Sequence, residues 1–270
     1  MSDAITLVPF DDSHLAGAVR LSQQAGWRQR QEDWAFVAAL SRGVAAVADG
    51  RVVGTALCSE FAMQTAISMV VVDEAFRGRG LGRRLMEAVM AISDGKPMTL
   101  SATVEGQPLY ESLGFVPIGR IVQMQGIVRQ VPPVAAMAMR DATEADLDRM
   151  VAMDHDACGA DRRPLFQQFL TVGRIFLSES GLVVLRAFGR GEVAGPVIAR
   201  DGDTARALIA ACAVAGQYLR VDTTPETGLE SFLRDLGLDH TGGGTAMRHG
   251  PPRNAPRDYK TYALASQALG

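Results

Sequence analysis

The residues best placed to do chemistry lie in a short segment, residues 77–82, whose sequence is Arg-Gly-Arg-Gly-Leu-Gly. Glycine adopts positive φ angles at little steric cost and lets a ligand approach the backbone closely. The segment precedes a predicted helix, and the first amide N–H groups of a helix have no intrahelical partner and attract anions. Arg83 and Arg84 add positive charge at a helix start, where the helix dipole disfavours cations unless an anion is bound. These residues predict a cradle for phosphate groups.

Other phosphate-binding motifs match this segment less well. A Walker loop ends in Gly-Lys-Ser/Thr, whereas Gly82 is followed by two arginines. A dinucleotide-binding fingerprint that begins at Gly78 needs glycine at position 83, which is arginine, and an acidic residue about twenty positions later, which is missing. A solvated basic turn is the alternative that involves no ligand.

The elements around the segment are a strand before it and a helix after it. Met69 to Val72 form the short apolar run typical of a buried strand. Leu81, Leu85, Val89 and Ile92 recur at helical spacing, so the helix is expected to bury one face.

A second motif follows this helix. Residues 98–104 alternate between apolar and polar side chains, which predicts a half-buried strand. Pro108 suits the first turn of a short helix and Gly114 its end, with Phe115 returning to the core. Tyr110 lies within that short helix.

The elements follow one another as a strand leading into Arg-x-x-Gly-x-Gly, a helix, a second strand and then Tyr-x-x-x-Gly-Phe. This order resembles the GNAT acyltransferases, over about residues 5 to 126. The resemblance implies an α/β fold with a mixed sheet flanked by helices, and acetyl-CoA as co-substrate. It places the pyrophosphate and the pantetheine arm of acetyl-CoA on Val70, Val71, Val72, Arg77, Gly78, Arg79, Gly80, Leu81, Gly82 and Arg83.

By the same resemblance, Tyr110 is the catalytic residue that hydrogen-bonds or protonates the departing CoA thiolate. A thiol with a pKa near 8.5 and a phenol with a pKa near 10 differ by about 1.5 units, so full proton transfer costs about 2 kcal/mol. A hydrogen bond costs less, so we expect Tyr110 to assist without being indispensable. The alternative is a tyrosine that only packs against the sheet.

The acceptor side is less clearly marked. In GNAT-like proteins the region between the first two helices often walls the acceptor pocket, which makes Trp27, Glu32 and Asp33 candidate acceptor contacts. The alternative is that Trp34 belongs to the core and Trp27 is a packed lid. No general base is assigned. The nearest carboxylates to the central strand, Glu60, Asp73 and Glu74, are each expected to be solvated charges.

Bulk properties are compatible with a soluble enzyme. The 270 residues suffice for two domains, and the formal net charge of −3 does not favour nucleic-acid binding. The three cysteines are widely spaced in mostly apolar surroundings, which suggests reduced thiols. The first residues lack a charged region and a long apolar run, and no stretch is apolar enough to span a membrane. We therefore expect a cytoplasmic protein that contacts neither membrane nor nucleic acid.

The second half reads as a divergent copy of the first. Two prolines in residues 129–133 suggest a linker, so the expected domains are residues 1–130 and 131–270. Leu236-Gly237-Leu238 corresponds to Leu113-Gly114-Phe115, which puts Leu233 where Tyr110 stands.

The second half lacks a counterpart of the arginine-rich loop. Asp201 and Asp203 begin its helix and would repel a pyrophosphate, so this half is expected to bind no CoA. Completing the acceptor pocket or forming a homodimer are its candidate roles. An apolar segment from Tyr259 to Leu269 is expected to dock on it.

These observations predict an acetyl-CoA-dependent N-acetyltransferase that transfers the acetyl group directly to a primary amine of a small molecule. The alternatives are an acyl-CoA sensor without turnover and an acetyltransferase that modifies proteins; a nucleotide-binding module is more distant. No metal is expected, because Asp154, His155, Asp156 and Cys158 are closely spaced and have no second ligand group elsewhere.

Overall fold

A computed structural model describes residues 4–252 and 257–270 of the chain. In the first half, the strands are β1 (Thr6–Pro9), β2 (Arg42–Ala48), β3 (Arg51–Phe61), β4 (Gln64–Val72), β5 (Met98–Ala102) and β6 (Val116–Ile127). The helices of this half are α1 (Leu15–Gln24), α2 (Gln31–Ala38), α3 (Leu81–Ile92) and α4 (Gln107–Ser112).

The second half repeats this plan. Its strands are β7 (Arg140–Asp141), β8 (Gly173–Leu177), β9 (Gly181–Phe188), β10 (Gly191–Ala199), β11 (Tyr218–Thr223), β12 (Asp239–His249) and β13 (Lys260–Ala263). Its helices are α5 (Leu147–Cys158), α6 (Arg163–Val172), α7 (Gly202–Cys212) and α8 (Glu230–Asp235). The expected fold class, tandem domains with a mixed sheet flanked by helices, is confirmed.

All the described strands join in one sheet of 13 strands, in the order β1-β2-β3-β4-β5-β12-β6-β11-β10-β9-β8-β7, with β13 pairing with β10. The pairs β4–β5 and β10–β11 are parallel, and the others are antiparallel. Strands β6 and β12 are exchanged between the halves, because β12 pairs with β5 and β6 pairs with β11. The sheet thus crosses the expected division at residue 130, which stays a prediction.

The two Leu-Gly turns that suggested a duplication have the same geometry. Gly114 and Gly237 both have positive φ, 87° and 98°, and each ends a helix of six residues. After each glycine the next amide donates to a helical carbonyl at 3.0 Å, from Phe115 to Tyr110 and from Leu238 to Leu233. The alignment of Tyr110 with Leu233 therefore holds in three dimensions.

A shared apolar core joins the halves. Trp34 of α2 is fully buried, as the core alternative for this residue predicts, and its indole N–H donates to Ser22 Oγ at 3.0 Å. Phe36 of α2 stacks on Phe169 of α6 at 5.6 Å between ring centroids. Because α1 and α2 pack against α5 and α6, the segment between α1 and α2 has a fixed position against the second half.

The segment from Tyr259 onward docks on the second half, as expected. Asp154 and Arg162 form an ion pair in which both side chains are at most 2% exposed, with Arg162 Nε 2.8 Å from Asp154 Oδ2. Arg162 also donates to the carbonyl oxygens of Leu269 and Gly270, at 3.0 and 2.7 Å. The ion pair therefore anchors the end of the segment.

Replacing Arg162 with methionine should destabilise the protein by about 3–5 kcal/mol, because it leaves the buried Asp154 carboxylate unpaired. The free energy of unfolding in urea measures this loss. Arg163→Met is the matched control, since Arg163 pairs at 2.7 Å with Asp148, whose side chain is 89% exposed, and should barely move the denaturation midpoint. Equal, small losses in the two variants would contradict the anchoring role.

Candidate active site

A cavity of about 940 Å³ lies where the halves meet. The first half contributes the end of β4, the glycine-arginine loop, the start of α3, the end of β5, and α4. The second half contributes the turn 188–190, one end of β11, and Thr241 and Gly243 of β12. Residues 24–29 and 267–268, with Gln123 and Gln125 of β6, complete the wall. The cavity is thus lined by both halves.

The glycine-arginine loop forms the expected cradle. Gly78 and Gly80 have φ angles of 72° and 74°, and Gly80 is the N-cap of α3. A Cβ atom at either glycine would meet no protein atom within 4 Å, so the backbone is bare on this side. The α3 dipole and its free amides favour an anion here. Gly78, Gly80, Leu81 and Gly82 all line the cavity.

The four arginines of this region have different positions. Arg77 and Arg83 line the cavity. Arg83 donates to Ser112 Oγ at 2.7 Å, which holds it beside α4. Arg79 lies outside the lining and stacks over the Phe76 ring at 5.3 Å. Arg84 donates to the carbonyl of Ile5 at 3.2 Å and supports β1. Two of the four are therefore placed to meet a ligand.

Strand β4 carries a bulge beside the cavity. Val71 pairs with Thr55 and Ser68 with Leu57, so Met69 and Val70 together oppose one residue of β3. Met69 has a φ of 54°, a conformation that non-glycine residues rarely adopt, and Thr55 Oγ1 donates to its carbonyl at 2.7 Å. The bulge leaves Met69 and Val70 outside the regular register with β3, and both residues line the cavity together with Val71 and Val72.

Tyr110 lines the cavity from α4 and is only 7% exposed. Its ring packs edge-on against Phe115 at 6.2 Å, so it is also part of the core. Burial raises the pKa of Tyr110 to about 12. Proton transfer to a thiolate of pKa about 8.5 would then cost about 5 kcal/mol, not the 2 kcal/mol expected from an unperturbed phenol. The buried hydroxyl is suited to donate a hydrogen bond and to keep its proton.

The three candidate acceptor contacts are not brought together. Trp27 lines the cavity, whereas Glu32 is exposed and outside the lining. Asp33 is 3% exposed and pairs with Arg30 at 2.8 Å. It also accepts the amide N–H of Gly189 at 3.1 Å, so this hydrogen bond links the two halves.

Sequence reasoning missed two polar side chains beside the bulge. Gln29 and Ser68 line the cavity, and Gln29 Oε1 and Ser68 Oγ are buried without a hydrogen-bond partner among the described residues. Gln29 Nε2 lies 3.9 Å from Met69 Sδ. Isolated polar residues carry no motif, so no sequence signal marked them.

The carboxylates near β4 are engaged. Glu60 accepts from Lys96 at 2.9 Å. Asp73 is 5% exposed and pairs with Arg20 at 3.1 Å, so the expectation of a solvated charge is wrong for this residue. Burial acts to raise the pKa of Asp73, but the Ala75 amide and Arg20 outweigh it and hold the pKa below its usual value. Glu74 is exposed, lines the cavity and lies 3.7 Å from Arg77. None of the three has the isolated, buried setting that raises the pKa of a carboxylate base.

The corresponding opening in the second half is filled. In the first half, β4 pairs with β5 only at Thr65 and Ala66 and then diverges towards the cavity. In the second half, β10 pairs with β11 only at Glu192 and Val193. Beyond that point β13 lies against β10, and its neighbour Leu264 donates to the Asp222 carbonyl of β11 at 2.8 Å.

The helix after β10 also differs from α3. Asp201 accepts the Thr204 amide at 2.7 Å and caps α7 with a carboxylate, in the place where the first half has bare glycine. Both features leave the first opening as the accessible one.

No group of three or more potential metal ligands occurs within residues 4–252 and 257–270. No helix in the same ranges is long and apolar enough to cross a membrane.

Comparison with known proteins is consistent across both halves. A family model described as an acetyltransferase (GNAT) domain matches residues 29–131, and a second model with the same description matches residues 150–263. The uncharacterized N-acetyltransferase YitH of Bacillus subtilis is 28% identical over 281 aligned residues, which cover 98% of each chain.

Solved structures share the fold of the whole chain. A proposed acetyltransferase from Pyrococcus horikoshii is similar with a TM-score of 0.86 and 17% identity, over 100% of this chain and 97% of that one. A GCN5-related N-acetyltransferase from Sphaerobacter thermophilus gives a TM-score of 0.65 at 17% identity, over 92% and 96% of the two chains. The family matches to residues 29–131 and 150–263, with the Bacillus subtilis relative, show that the chain belongs to the GNAT superfamily, as an acetyltransferase with two GNAT domains in tandem.

Proposed function

We propose that this acetyltransferase transfers the acetyl group of acetyl-CoA directly to a primary amine of a small molecule. One observation carries the proposal: a single cavity joins the bare glycine backbone at the start of α3, the β4 bulge and the Tyr110 hydroxyl. GNAT acetyltransferases in general use acetyl-CoA, and the cavity offers groups suited to its anionic and thioester ends.

The binding residues divide by the part of acetyl-CoA that they suit. The amides of Gly78, Gly80, Leu81 and Gly82, with Arg77 and Arg83, suit the pyrophosphate. The backbone of Val70 to Val72, where β4 leaves β5, suits the amide groups of pantetheine. Arg79 is proposed to act indirectly, by packing on Phe76 at the cavity rim.

Acetyl-CoA supplies an acyl group that is activated as a thioester. The Val70 amide belongs to the bulge that lines the cavity, and it can stabilise negative charge that develops on the carbonyl oxygen. Tyr110 donates its hydroxyl proton in a hydrogen bond to the departing sulfur. Gln29 Oε1 and Ser68 Oγ can accept N–H hydrogen bonds from the attacking amine.

Among the described residues that line the cavity at the bulge, no carboxylate can act as the base that takes the amine proton. An alkylammonium with a pKa of about 10 to 10.5 is only about one part in a thousand neutral at pH 7, which costs about 4 kcal/mol. We infer that the neutral amine binds from solution and releases its proton to water. Turnover should therefore increase with pH towards the pKa of the acceptor.

The second half supports a small acceptor over a protein. It contributes the turn 188–190, Tyr218 and Arg220 of β11, and Thr241 and Gly243 of β12 to the cavity wall. The acceptor end is thus walled on several sides, as pockets for small molecules usually are. A homodimer and a cytoplasmic location remain predictions.

The first test is calorimetric titration of acetyl-CoA, followed by a screen for thiol release with small amines. We expect acetyl-CoA to bind and at least one amine to release free CoA. If acetyl-CoA binds and free CoA is released with a partner protein but with no small amine, the acceptor is a protein. If acetyl-CoA binds and no CoA is released with either, the protein is a sensor.

Gly80→Ala should weaken acetyl-CoA binding about tenfold or more in calorimetry, because the added Cβ enters the space proposed for the pyrophosphate. Gly50→Ala is the matched control: Gly50 has a φ of 75°, open space around its Cβ, and lies in the β2–β3 turn away from the cavity. Both variants share the strain of a positive φ, about 1–2 kcal/mol. Equal acetyl-CoA affinities for the two variants would contradict the proposed pyrophosphate site at Gly80.

Tyr110→Phe should lower kcat about 10- to 100-fold, since a hydrogen bond to a charged group contributes about 1.5–3 kcal/mol, and should change the Kd for acetyl-CoA less than about threefold. Tyr262→Phe is the control, because Tyr262 is 8% exposed and does not line the cavity. With a pKa of about 12, Tyr110 stays protonated below pH 10. A tyrosine-dependent fall in wild-type kcat between pH 8 and 10 would contradict this role.

A further inference from the structure

The charged residues that line the cavity are distributed unevenly. The two lining carboxylates, Glu74 and Glu105, flank the proposed cofactor end: Glu74 lies beside Arg77, and Glu105 comes between β5 and α4. The wall formed by residues 24–29 and the second half, called here the far end, carries Arg28, Arg190 and Arg220, and its described lining residues include no carboxylate. A cleft lined by one sign of charge concentrates ligands of the opposite sign.

Arg220 is held in a defined orientation. Its Nε and Nη2 donate to the Asp222 carboxylate at 3.1 and 2.8 Å, and its guanidinium lies 4.9 Å from the centre of the Phe188 ring. Asp222 is only 1% exposed, whereas the Arg220 side chain is 17% exposed, so Arg220 is the partner that reaches the cavity. Its Nη1 makes no hydrogen bond within the described ranges and can bind an anion.

Arg28 and Arg190 have no hydrogen bond or ion pair to any residue in the described part of the chain, and both are exposed at the cavity. They lie on neighbouring segments, because the Arg28 carbonyl is 3.5 Å from where a Cβ on Gly189 would stand. The hydrogen bond from the Gly189 amide to Asp33 fixes the same contact. The two unpaired guanidinium groups therefore share one wall.

This wall leads directly to the bulge. Gln29 follows Arg28 and touches Met69 through its side-chain amide, at 3.9 Å. Gln29 Oε1 and Ser68 Oγ are the buried oxygens without a partner at that point. Leaving such acceptors unsatisfied costs free energy, which the N–H groups of a bound amine would recover. The oxygens that can accept the amine N–H groups thus lie beside the bulge. The cationic wall begins at Arg28, the residue next to Gln29.

We propose that the acceptor is a small amine that also carries an anionic group, a carboxylate or a phosphate. Gln29 and Ser68 hold its nitrogen beside the bulge, and Arg28, Arg190 and Arg220 hold its anion. This inference rests on the proposed function, since it names the acceptor class for the same cavity. Polyamines and other polycations are poor substrates, because three arginines face them.

Matched amine pairs test the proposal. Lysine is compared with cadaverine for a carboxylate, and glucosamine 6-phosphate with glucosamine for a phosphate, at saturating acetyl-CoA. Thiol release should give at least a tenfold higher kcat/KM for the anionic member of one pair, and the pair that responds identifies the anion. Calorimetric binding of the same amines to the protein–CoA complex supplies a readout that needs no turnover.

Arg190→Gln should raise the KM for the preferred anionic amine about fivefold or more, with kcat changed less than twofold and with unchanged acetyl-CoA affinity. The matched control is Arg120→Gln, which removes an equally exposed and unpartnered arginine on β6 outside the cavity and should change nothing. Arg190→Gln should also weaken calorimetric binding of the anionic amine and leave binding of the counterpart without the anionic group unaffected.

The outcomes separate this inference from the proposed function. Turnover with amines that lack the anionic group as fast as with anionic ones overturns the inference and leaves the acetyltransferase activity on small amines standing. Binding of an anionic amine that Arg190→Gln weakens, without thiol release, supports the anionic subsite and overturns the proposed reaction. If no anionic amine binds and none releases thiol, the inference is overturned.

Discussion

The hydrogen bonds that β6 and β12 make with each other and with the opposite half are the constraint on which the rest of the structure depends. Strand β5 pairs with β4 at only two residues, Thr65 and Ala66, but with β12 along its whole length, residues 98–102. The opening between β4 and β5 is thus held by a strand from the second half. Because the sheet is continuous through this exchange, the walls of the cavity come from both halves.

The two halves have the same opening with different contents. Where β4 leaves β5, the first half presents a bulge, bare glycine amides and arginines. Where β10 leaves β11, the second half inserts its own strand β13 and caps the next helix with Asp201. A carboxylate at a helix N-terminus satisfies the free amides that would otherwise attract an anion. The second half thereby serves the site as a wall, and its inserted segment carries Gln267 and Ala268 to that wall.

Burial decides what the groups around the cavity can do. The Tyr110 hydroxyl is desolvated, so the pKa of about 12 suits it to hydrogen bonding and not to proton transfer. Asp73 is also buried, but its ion pair with Arg20 and the Ala75 amide keep it ionised and occupied. Polar groups near the bulge are therefore neutral oxygens, those of Gln29 and Ser68, and the charges at the far end are arginines.

The sequence by itself determined the features that are encoded within a few consecutive residues: the glycine-arginine loop with its helix, the Tyr110 turn, and the duplicated turn at Gly237. Positive φ favours glycine and a buried helical face needs a period of 3.6, so such patterns can be read locally. Only the tertiary structure decided the exchange of β6 and β12, the bulge at Met69 supported by Thr55, and the meeting of Arg28 with Gly189. These contacts join residues far apart in the chain, and hydrophobic periodicity carries no information about which distant strands pair.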